Sequence, residues 1–281
     1  MPPLDLIGHP LSGQPFGSAL DLCLVLVVLA WVVSLITGDF CVWLDRLWSL
    51  TPPVYCLMVA VAGDFDAVRV NLMTALVILW GARLTYNFAR RGGFRKGGAD
   101  YRWGIVRKRV GPGRFRLLNI AFIAPGQLLL MWLFTSPVHQ AWVWRDQPLG
   151  WLDAASLLLF LACFGGEVIG DQQMWSFQQD KQRRIAAGEE DVQPFIVTGL
   201  FRYSRHPSYL CEIGMWFAFC LFSVSASGQW LHWTGLGVVL LAAQFTSVIR
   251  LTESVSSEKY PAYGEYQSRT PALLPLPRLR R

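Results

Sequence analysis

The sequence lacks the residues and motifs from which many soluble enzymes build a site. Its six cysteines are scattered through apolar segments without paired spacing, and its four histidines are equally dispersed. These patterns exclude a disulfide framework and contain no cluster of zinc ligands, so we expect reduced packing cysteines and no metal. Neither a GxGxxG turn nor a Walker loop occurs, which excludes a soluble nucleotide-binding domain.

Charged side chains are also scarce. Of 281 residues, only 16% are charged and 53% are hydrophobic, including 13 tryptophans. A soluble domain of this length needs far less apolar surface, so the composition predicts a membrane protein. The stretch 19–37 lacks a basic n-region and a small-residue cleavage site, and we interpret it as a retained span rather than a signal peptide.

Seven apolar segments are candidates for crossing a membrane, because a bilayer core of about 30 Å takes roughly 20 helical residues. They lie at about 19–37, 50–63, 70–89, 117–138, 151–170, 208–226 and 231–249. The second is short and Pro-rich, which permits a broken, tilted or partly re-entrant segment. We predict an all-α polytopic membrane bundle of about seven transmembrane helices, with residues 1–281 forming a single transmembrane domain.

Basic residues are concentrated in one loop. The segment from Arg90 to Arg116 holds ten lysines and arginines against the single acid Asp100, whereas the opposite loops carry only Arg69 and Arg145. If all seven segments cross, this loop shares a side with the 171–206 loop and the C-terminal tail. The positive-inside rule then predicts that the basic loops and the C-terminus are cytoplasmic. Contact with lipid headgroups and binding of an anionic cofactor both remain open as further roles.

A polar stretch, GLFRYSRHPSYLCE (199–212), precedes the sixth apolar segment. Proline favours the first turn of a helix, so the helix is expected to begin at His206 or Pro207. Free N–H groups at a helix N-terminus attract phosphate, and Arg202, Arg205 and His206 would add charge-assisted donors. The pattern therefore predicts a pyrophosphate clamp, with anchoring of the arginines to headgroups as the structural alternative.

Carboxylates also occur inside two predicted spans. Ser208 and Glu212 share one helical face with Tyr209 beside them, and Glu212 lies about one turn into an apolar segment. A carboxylate there is unfavourable unless it faces a cavity or a partner, such as an interior arginine. Glu167 and Asp171 share a face at the end of the fifth span, where they are either acceptors for ribose hydroxyls or a carboxamide, or ordinary interface charges.

The motif GLFRYSRHPSYLCE (199–212), together with the segment from Glu253 to Pro275, resembles the C-terminal half of the membrane steroid 5α-reductase family. It resembles more closely the DUF1295 branch of that superfamily. The resemblance extends over about residues 38–277. The upstream segments that carry it are VWLDRLWSLTPPVY (42–55), WGARLTYNFARRGGF (80–94) and ADYRWGIVRK (99–108).

The resemblance implies a substrate-side half at about 38–170, which encloses a lipid-like substrate, and a C-terminal half at about 151–277, which holds NADPH. The implied reaction is hydride transfer to an activated carbon–carbon double bond of a steroid-, sterol- or isoprenoid-like lipid. Glu167 stands where the reductases carry an amide, and Ser208 where asparagine is usual. The expected cofactor-binding residues are Glu167, Asp171, Arg202, Tyr203, Arg205, His206, Ser208, Tyr209, Glu212 and Glu253.

The reductases grip the substrate oxygen with a Gln-Glu pair and a tyrosine. Here the corresponding stretch contains Asp45 and Arg46, and Trp80 stands at the tyrosine's position, with Tyr86 nearby in another register. We expect Asp45 to be the catalytic acid, with Arg46 or Tyr86 meeting the substrate oxygen. The alternative is an interfacial salt bridge between Asp45 and Arg46, because WLDRLW also has the pattern of a membrane-surface segment.

Three classes of function remain open. The first is the NADPH-dependent reductase, whose partners are a lipid-like small-molecule substrate and membrane lipids, with no nucleic acid. The second is a membrane S-adenosylmethionine-dependent methyltransferase of the isoprenylcysteine or phospholipid type, since those enzymes share a similar RHPxY and a later glutamate. The third is a non-enzymatic lipid-binding protein of the same fold.

Overall fold

A computed structural model describes residues 14–37, 41–95, 98 and 100–274. Within these residues the chain forms α-helices and no β-strand. A π-helical turn covers Asn119–Ile123, and 3₁₀ turns cover Gly199–Arg202 and Trp233–Gly235. The α-helices are α1 (Pro15–Thr37), α2 (Cys41–Leu47), α3 (Thr51–Val61), α4 (Val68–Arg90), α5 (Tyr101–Val110), α6 (Pro112–Leu118), α7 (Ala124–Thr135), α8 (Pro137–Val143), α9 (Trp151–Ala186), α10 (Pro207–Ser227), α11 (Leu236–Lys259) and α12 (Tyr263–Arg269).

Within the described ranges, six helical segments are long and apolar enough to cross a membrane. They are Pro15–Thr37, Val68–Arg90, Pro112–Val143, Trp151–Ala186, Pro207–Ser227 and Trp233–Lys259. Each overlaps one of the apolar segments found in the sequence, so the predicted polytopic helical bundle is confirmed. The segment predicted at about 50–63 forms the short helix α3, which has 11 residues and spans only about 16 Å.

The chain nevertheless passes between the two ends of the Pro112–Val143 span through α2 and α3. Near the start of that span, the Cys41 thiol donates a hydrogen bond to Asn119 Oδ1 at 3.8 Å. At its far end, Gly63 lies against the ring of Trp142. Because Cys41 and Gly63 sit at opposite ends of one span, the chain between them runs along the length of that span through α2 and α3.

The chain divides into two compact units. The first unit contains the described residues of Met1–Ser156 together with Phe219–Leu241, and the second contains those of Leu157–Ala218 and Ala242–Arg281. The boundaries fall within α9, α10 and α11. The predicted halves also divide in α9, but the segment 219–241 groups with the N-terminal part of the chain.

Large side chains fill the interior of the first unit. Phe16, Tyr55, Trp80 and Phe134 are all fully buried. The rings of Phe16 and Trp132 stack with centroids 4.8 Å apart, which joins α1 to α7. In lipid, close packing of this kind contributes more to helix association than exclusion of water does.

Gly237, the second residue of α11, marks a close approach to α7 in the first unit. A Cβ at this position would overlap backbone atoms of Leu133 and Phe134, which cannot rotate away as a side chain can. We expect Gly237→Ala to destabilise the protein by about 1–3 kcal/mol, the usual effect of overpacking. The thermal unfolding midpoint in detergent measures this effect. Gly126→Ala in α7 is the control, because a Cβ there meets nothing within 4 Å; equal midpoints would contradict the prediction.

Candidate functional site

Helices α9 and α10 pack closely in the second unit through small residues. A Cβ on Gly166 would lie 2.7 Å from Cys211 Sγ, and one on Gly170 would lie 2.9 Å from Ser208 Oγ. The residue numbers rise along α9 as they fall along α10, so the two helices are antiparallel. α10 begins at Pro207, as predicted, and its first turn therefore lies beside the C-terminal half of α9.

This packing lines up four of the predicted cofactor-binding residues along one helix pair. Ser208 Oγ donates a hydrogen bond to Asp171 Oδ1 at 3.4 Å. Glu212, one turn further along α10, is 5% exposed, and its Oε1 accepts a hydrogen bond from Trp216 Nε1 at 2.9 Å. Glu167, one turn before Asp171, is also 5% exposed. Buried carboxylates in membrane helices are rare and commonly mark functional sites.

A network of buried polar side chains lies at the turn before α10. Arg205 Nε donates to Glu253 Oε1 at 2.6 Å, and Arg205 Nη2 donates to Glu253 Oε2 at 2.9 Å. His206 Nε2 lies 3.0 Å from the same Oε1. The side chains of Arg205 and Glu253 are only 7% and 14% exposed, so this two-pronged ion pair is shielded from water. It fixes the end of α11 against the motif.

The C-terminal segment Tyr263–Ala272, here named the C-terminal strap, is bound to the motif through its backbone. The backbone N–H of Arg205 donates to the carbonyl of Pro271 at 2.9 Å. The N–H of His206 donates to the carbonyl of Ala272 at 3.1 Å. Both bonds occupy donors immediately before α10, so the position of the strap depends on the motif.

The guanidinium of Arg205 adds a second set of bonds to the strap. Arg205 Nη1 donates to the carbonyl of Gln267 at 3.2 Å and to the carbonyl of Thr270. Gln267 Nε2 in turn donates to Glu253 Oε2 at 3.0 Å. Each guanidinium nitrogen of Arg205 thus has a protein acceptor, and this side chain joins α11, the motif and the strap.

The remaining motif residues divide between packed and exposed positions. The ring of Tyr209 stacks on the imidazole of His206, with centroids 5.5 Å apart and planes at 4°. Tyr209 also lies 5.0 Å from the ring of Phe245 on α11. Tyr203, in contrast, is 61% exposed, and Arg202 is exposed beside it. Arg202 and Tyr203 are therefore the predicted residues of the motif that face outward.

Two tyrosines of the strap are held as neutral phenols. Burial raises the pKa of Tyr263 to about 12, with the nearby charge of Glu253 adding to the effect. Burial also raises the pKa of Tyr266. The Tyr266 hydroxyl donates to the carbonyl of Phe201 at 2.5 Å, which is a further bond between the strap and the motif.

A cavity of about 580 Å³ lies against the strap and the loop that precedes the motif. The rings of Phe195 and Tyr266 form part of its wall, with centroids 5.6 Å apart and planes at 25°. The side chains that line it also include Gln193, Arg202 and Arg269. Its volume lies within the range of pockets that bind small organic ligands.

The predicted catalytic acid, Asp45, lies on α2 in the first unit. Its carboxylate accepts hydrogen bonds from the backbone N–H of Asp100 at 2.9 Å and from Trp103 Nε1 at 3.1 Å. Burial raises the pKa of Asp45 and outweighs the lowering effect of these two bonds. Burial also acts to raise the pKa of Asp100, but the hydrogen bonds and charge of Arg102 lower it overall. Asp45 is therefore the member of this pair that retains its proton to higher pH.

The other two predicted catalytic residues lie in different surroundings. Arg46 Nη2 donates to the carbonyl of Phe94 at 3.3 Å, next to the segment that bonds Asp45. Tyr86 is 64% exposed, and its ring centroid lies 5.4 Å from the guanidinium of Arg90. Asp45 and Arg46, both on α2, are therefore bonded to the chain between Phe94 and Trp103. Tyr86, in contrast, contacts Arg90 of its own helix, α4.

Sequence reasoning missed the partners that hold these residues. Trp103 donates to Asp45 across 58 positions of sequence, and the carbonyl of Gln267 accepts from Arg205 across 62. Helical periodicity relates only residues three or four apart, so it contains no signal for either contact.

Comparison with known proteins gives matches over most of the chain. The family described as "Protein of unknown function (DUF1295)" matches residues 30–270. The Uncharacterized protein C594.04c of Schizosaccharomyces pombe is 34% identical over 278 residues, which covers 93% of this chain and 80% of the yeast protein. No solved structure gives a significant match.

Proposed function

Because the chain belongs to the DUF1295 family, as its sequence motifs predicted, and is a polytopic membrane protein, we propose that it is a membrane-embedded NADPH-dependent reductase. Its substrate would be a carbon–carbon double bond in a steroid-, sterol- or isoprenoid-like lipid. One observation carries the proposal: the second unit gathers the 167–171 segment of α9, the 199–212 motif and the C-terminal strap. All three lie in the C-terminal half, at about 151–277, which the resemblance to the steroid 5α-reductases assigns to the cofactor.

The donors and acceptors of the second unit suit a dinucleotide. Asp171 and Glu212 offer carboxylate oxygens for ribose hydroxyls or a carboxamide. The first turn of α10 offers N–H groups and the positive end of a helix dipole to a pyrophosphate. Arg205, already bonded to Glu253 and the strap, acts in this proposal by holding the start of α10 in position. Bound NADPH supplies the hydride.

In the first unit, Asp45 is the proposed acid. An enone oxygen gains negative charge as hydride reaches the β-carbon, and a proton donor nearby stabilises that charge. The raised pKa of Asp45 suits this role, because a carboxyl can donate only while it holds its proton, and a raised pKa keeps it protonated to higher pH. Arg46 on the same helix would add positive charge, and Tyr86 is the alternative hydroxyl donor.

We also propose that the basic loops and the C-terminus face the cytoplasm. The loop between α4 and α6 is strongly basic, and such loops are retained on the cytoplasmic side. The loop between α9 and α10 and the tail after α11 lie an even number of passes from it, so they share its side. The pass through α2 and α3 determines only the side of the N-terminus, which is opposite when seven passes are made.

The proposed cofactor site predicts that NADPH stabilises the purified protein. At 100 times its dissociation constant, a ligand that binds only the folded state adds about 2.7 kcal/mol of stability. We expect this shift in the thermal unfolding midpoint with NADPH and not with S-adenosylmethionine. Asp171→Asn and Ser208→Ala should each weaken NADPH binding about 10-fold, because the first replaces an acceptor oxygen and the negative charge with an amide donor, and the second removes a hydroxyl. The control is Ser247→Ala, which makes the same serine-to-alanine change on an exposed face of α11. This variant should bind NADPH as the wild type does.

The same titration distinguishes the other two functions. Stabilisation by S-adenosylmethionine alone would replace the reductase with a membrane methyltransferase. Stabilisation by neither ligand would favour a non-enzymatic lipid-binding protein. If NADPH binds, loss of a double bond from an enone lipid at the expense of NADPH absorbance completes the assignment.

A further inference from the structure

We infer that the cavity against the C-terminal strap binds the 2′-phosphoadenosine end of NADPH, and that Arg202 and Arg269 select NADPH over NADH. The inference rests on the proposed function and deepens it, because it names the residues that recognise one particular group of the cofactor. Four observations support it: the two arginines in the cavity wall, the exposure and weak pairing of their side chains, the aromatic rings of the wall, and the position of the cavity beside the motif.

The two arginines offer charge that a phosphate can use. Arg202 is exposed, and its side chain makes no hydrogen bond or ion pair within residues 14–274, as far as these are described. Arg269 Nη2 pairs at 2.5 Å with Oε1 of Glu265, an acid that also lines the cavity. The side chains of this pair are 76% and 63% exposed. Exposed pairs of this kind contribute little, so a phosphate carrying nearly two negative charges can displace Glu265. Arginine binds phosphate through two parallel N–H bonds and is the usual partner of a 2′-phosphate.

The aromatic wall favours a nucleotide over a lipid headgroup. The rings of Phe195 and Tyr266 are nearly parallel, and Gln193 Nε2 donates to the carbonyl of Phe195 at 3.2 Å, which steadies that residue. Adenine stacks favourably on such rings. A headgroup phosphate would use the arginines alone, whereas a 2′-phosphoadenosine would use both the arginines and the rings.

The cavity adjoins the proposed pyrophosphate position. Arg202 lies five residues before Pro207, where α10 begins. Thr270 lines the cavity, while its carbonyl accepts a hydrogen bond from Arg205 and its hydroxyl donates to the carbonyl of Arg202 at 3.5 Å. Hydrogen bonds through Thr270 thus connect the wall of the cavity to the residues just before α10. A ligand whose adenosine lies in the cavity and whose pyrophosphate lies at the start of α10 requires such a fixed arrangement.

Two nucleotides that differ only in the 2′-phosphate, 2′,5′-ADP and AMP, test this inference on the full-length protein in detergent. We expect 2′,5′-ADP to stabilise the wild type at concentrations at least about 10-fold lower than AMP. Arg202→Ala and Arg269→Ala should each raise the half-saturating concentration of 2′,5′-ADP about 10-fold and leave that of AMP unchanged. Arg183→Ala, which removes an exposed arginine of α9 outside the cavity, is the control and should change neither.

Parallel titrations with NADPH and NADH separate failure of this inference from failure of the proposed function. If both dinucleotides bind with equal affinity, or if the double variant Arg202→Ala/Arg269→Ala keeps its preference for NADPH, the inference is wrong and the reductase proposal stands. If neither dinucleotide binds the wild type, the proposed function fails and the inference fails with it.

Discussion

Arg205→Ala is expected to lower the free energy of unfolding by about 3–5 kcal/mol, the usual effect of removing one partner of a buried ion pair. The substitution leaves Glu253 without its two guanidinium bonds and leaves the carbonyls of Gln267 and Thr270 without their donor. The strap would then lose its side-chain attachment to the motif. The thermal unfolding midpoint in detergent, measured without any ligand, reports this loss.

Two variants control this prediction. Arg202→Ala removes an exposed arginine three residues away, and surface changes usually stay within about 0.5 kcal/mol. Arg205→Lys keeps the charge but loses the planar fork, so its midpoint should fall between those of wild type and Arg205→Ala. A ligand-free Arg205→Ala protein that melts like the wild type, yet no longer binds NADPH, would contradict the structural role and indicate direct contact with the cofactor.

Loss of ligand binding in an Arg205 variant does not by itself identify a contact between Arg205 and the ligand. Because Arg205 is bonded to Glu253 and the strap, its removal disturbs the start of α10 whatever the ligand is. Asp171 and Ser208 lie outside that ion pair and are better probes of the cofactor site.

The helical bundle could be predicted because hydropathy directly reflects the lipid environment. Each of the six long spans overlaps a predicted segment, and Pro207 correctly marked the start of α10. The lengths of the helices were less predictable from the sequence. α9 has 36 residues, about 54 Å at the helical rise, and continues past its apolar part to Ala186, because charged residues such as Lys181 and Arg184 are good helix formers outside the membrane.

The candidate site was predictable only in part. Spacing along a helix placed Glu167 with Asp171 and Ser208 with Glu212, because residues four apart share a face. It could not show that Arg205 meets Glu253, 48 positions away. Contacts between distant segments depend on how helices pack, which periodicity does not encode.

In the first unit, Arg69 also has a distant partner that spacing along the sequence does not reveal. The charge count placed it in a loop, yet its side chain is 2% exposed and pairs with Asp153, which is 4% exposed. Arg69 Nε and Nη2 donate to the two carboxylate oxygens at 2.8 and 3.0 Å, and Ser225 Oγ donates to Asp153 Oδ2 at 2.7 Å. This bidentate pair joins the start of α4 to the start of α9.

We expect Arg69→Met to destabilise the protein by about 3–5 kcal/mol, because it leaves the buried carboxylate of Asp153 without a counter-charge. The double variant Arg69→Met/Asp153→Leu removes both charges and should recover part of that loss. The control is Asp146→Asn, which changes an exposed acid of the loop before α9 and should leave the midpoint near that of the wild type. Thermal midpoints of the wild type, Arg69→Met, Asp153→Leu and the double variant form a cycle that isolates the coupling between Arg69 and Asp153. Strictly additive effects in that cycle would show that the pair contributes nothing as a pair.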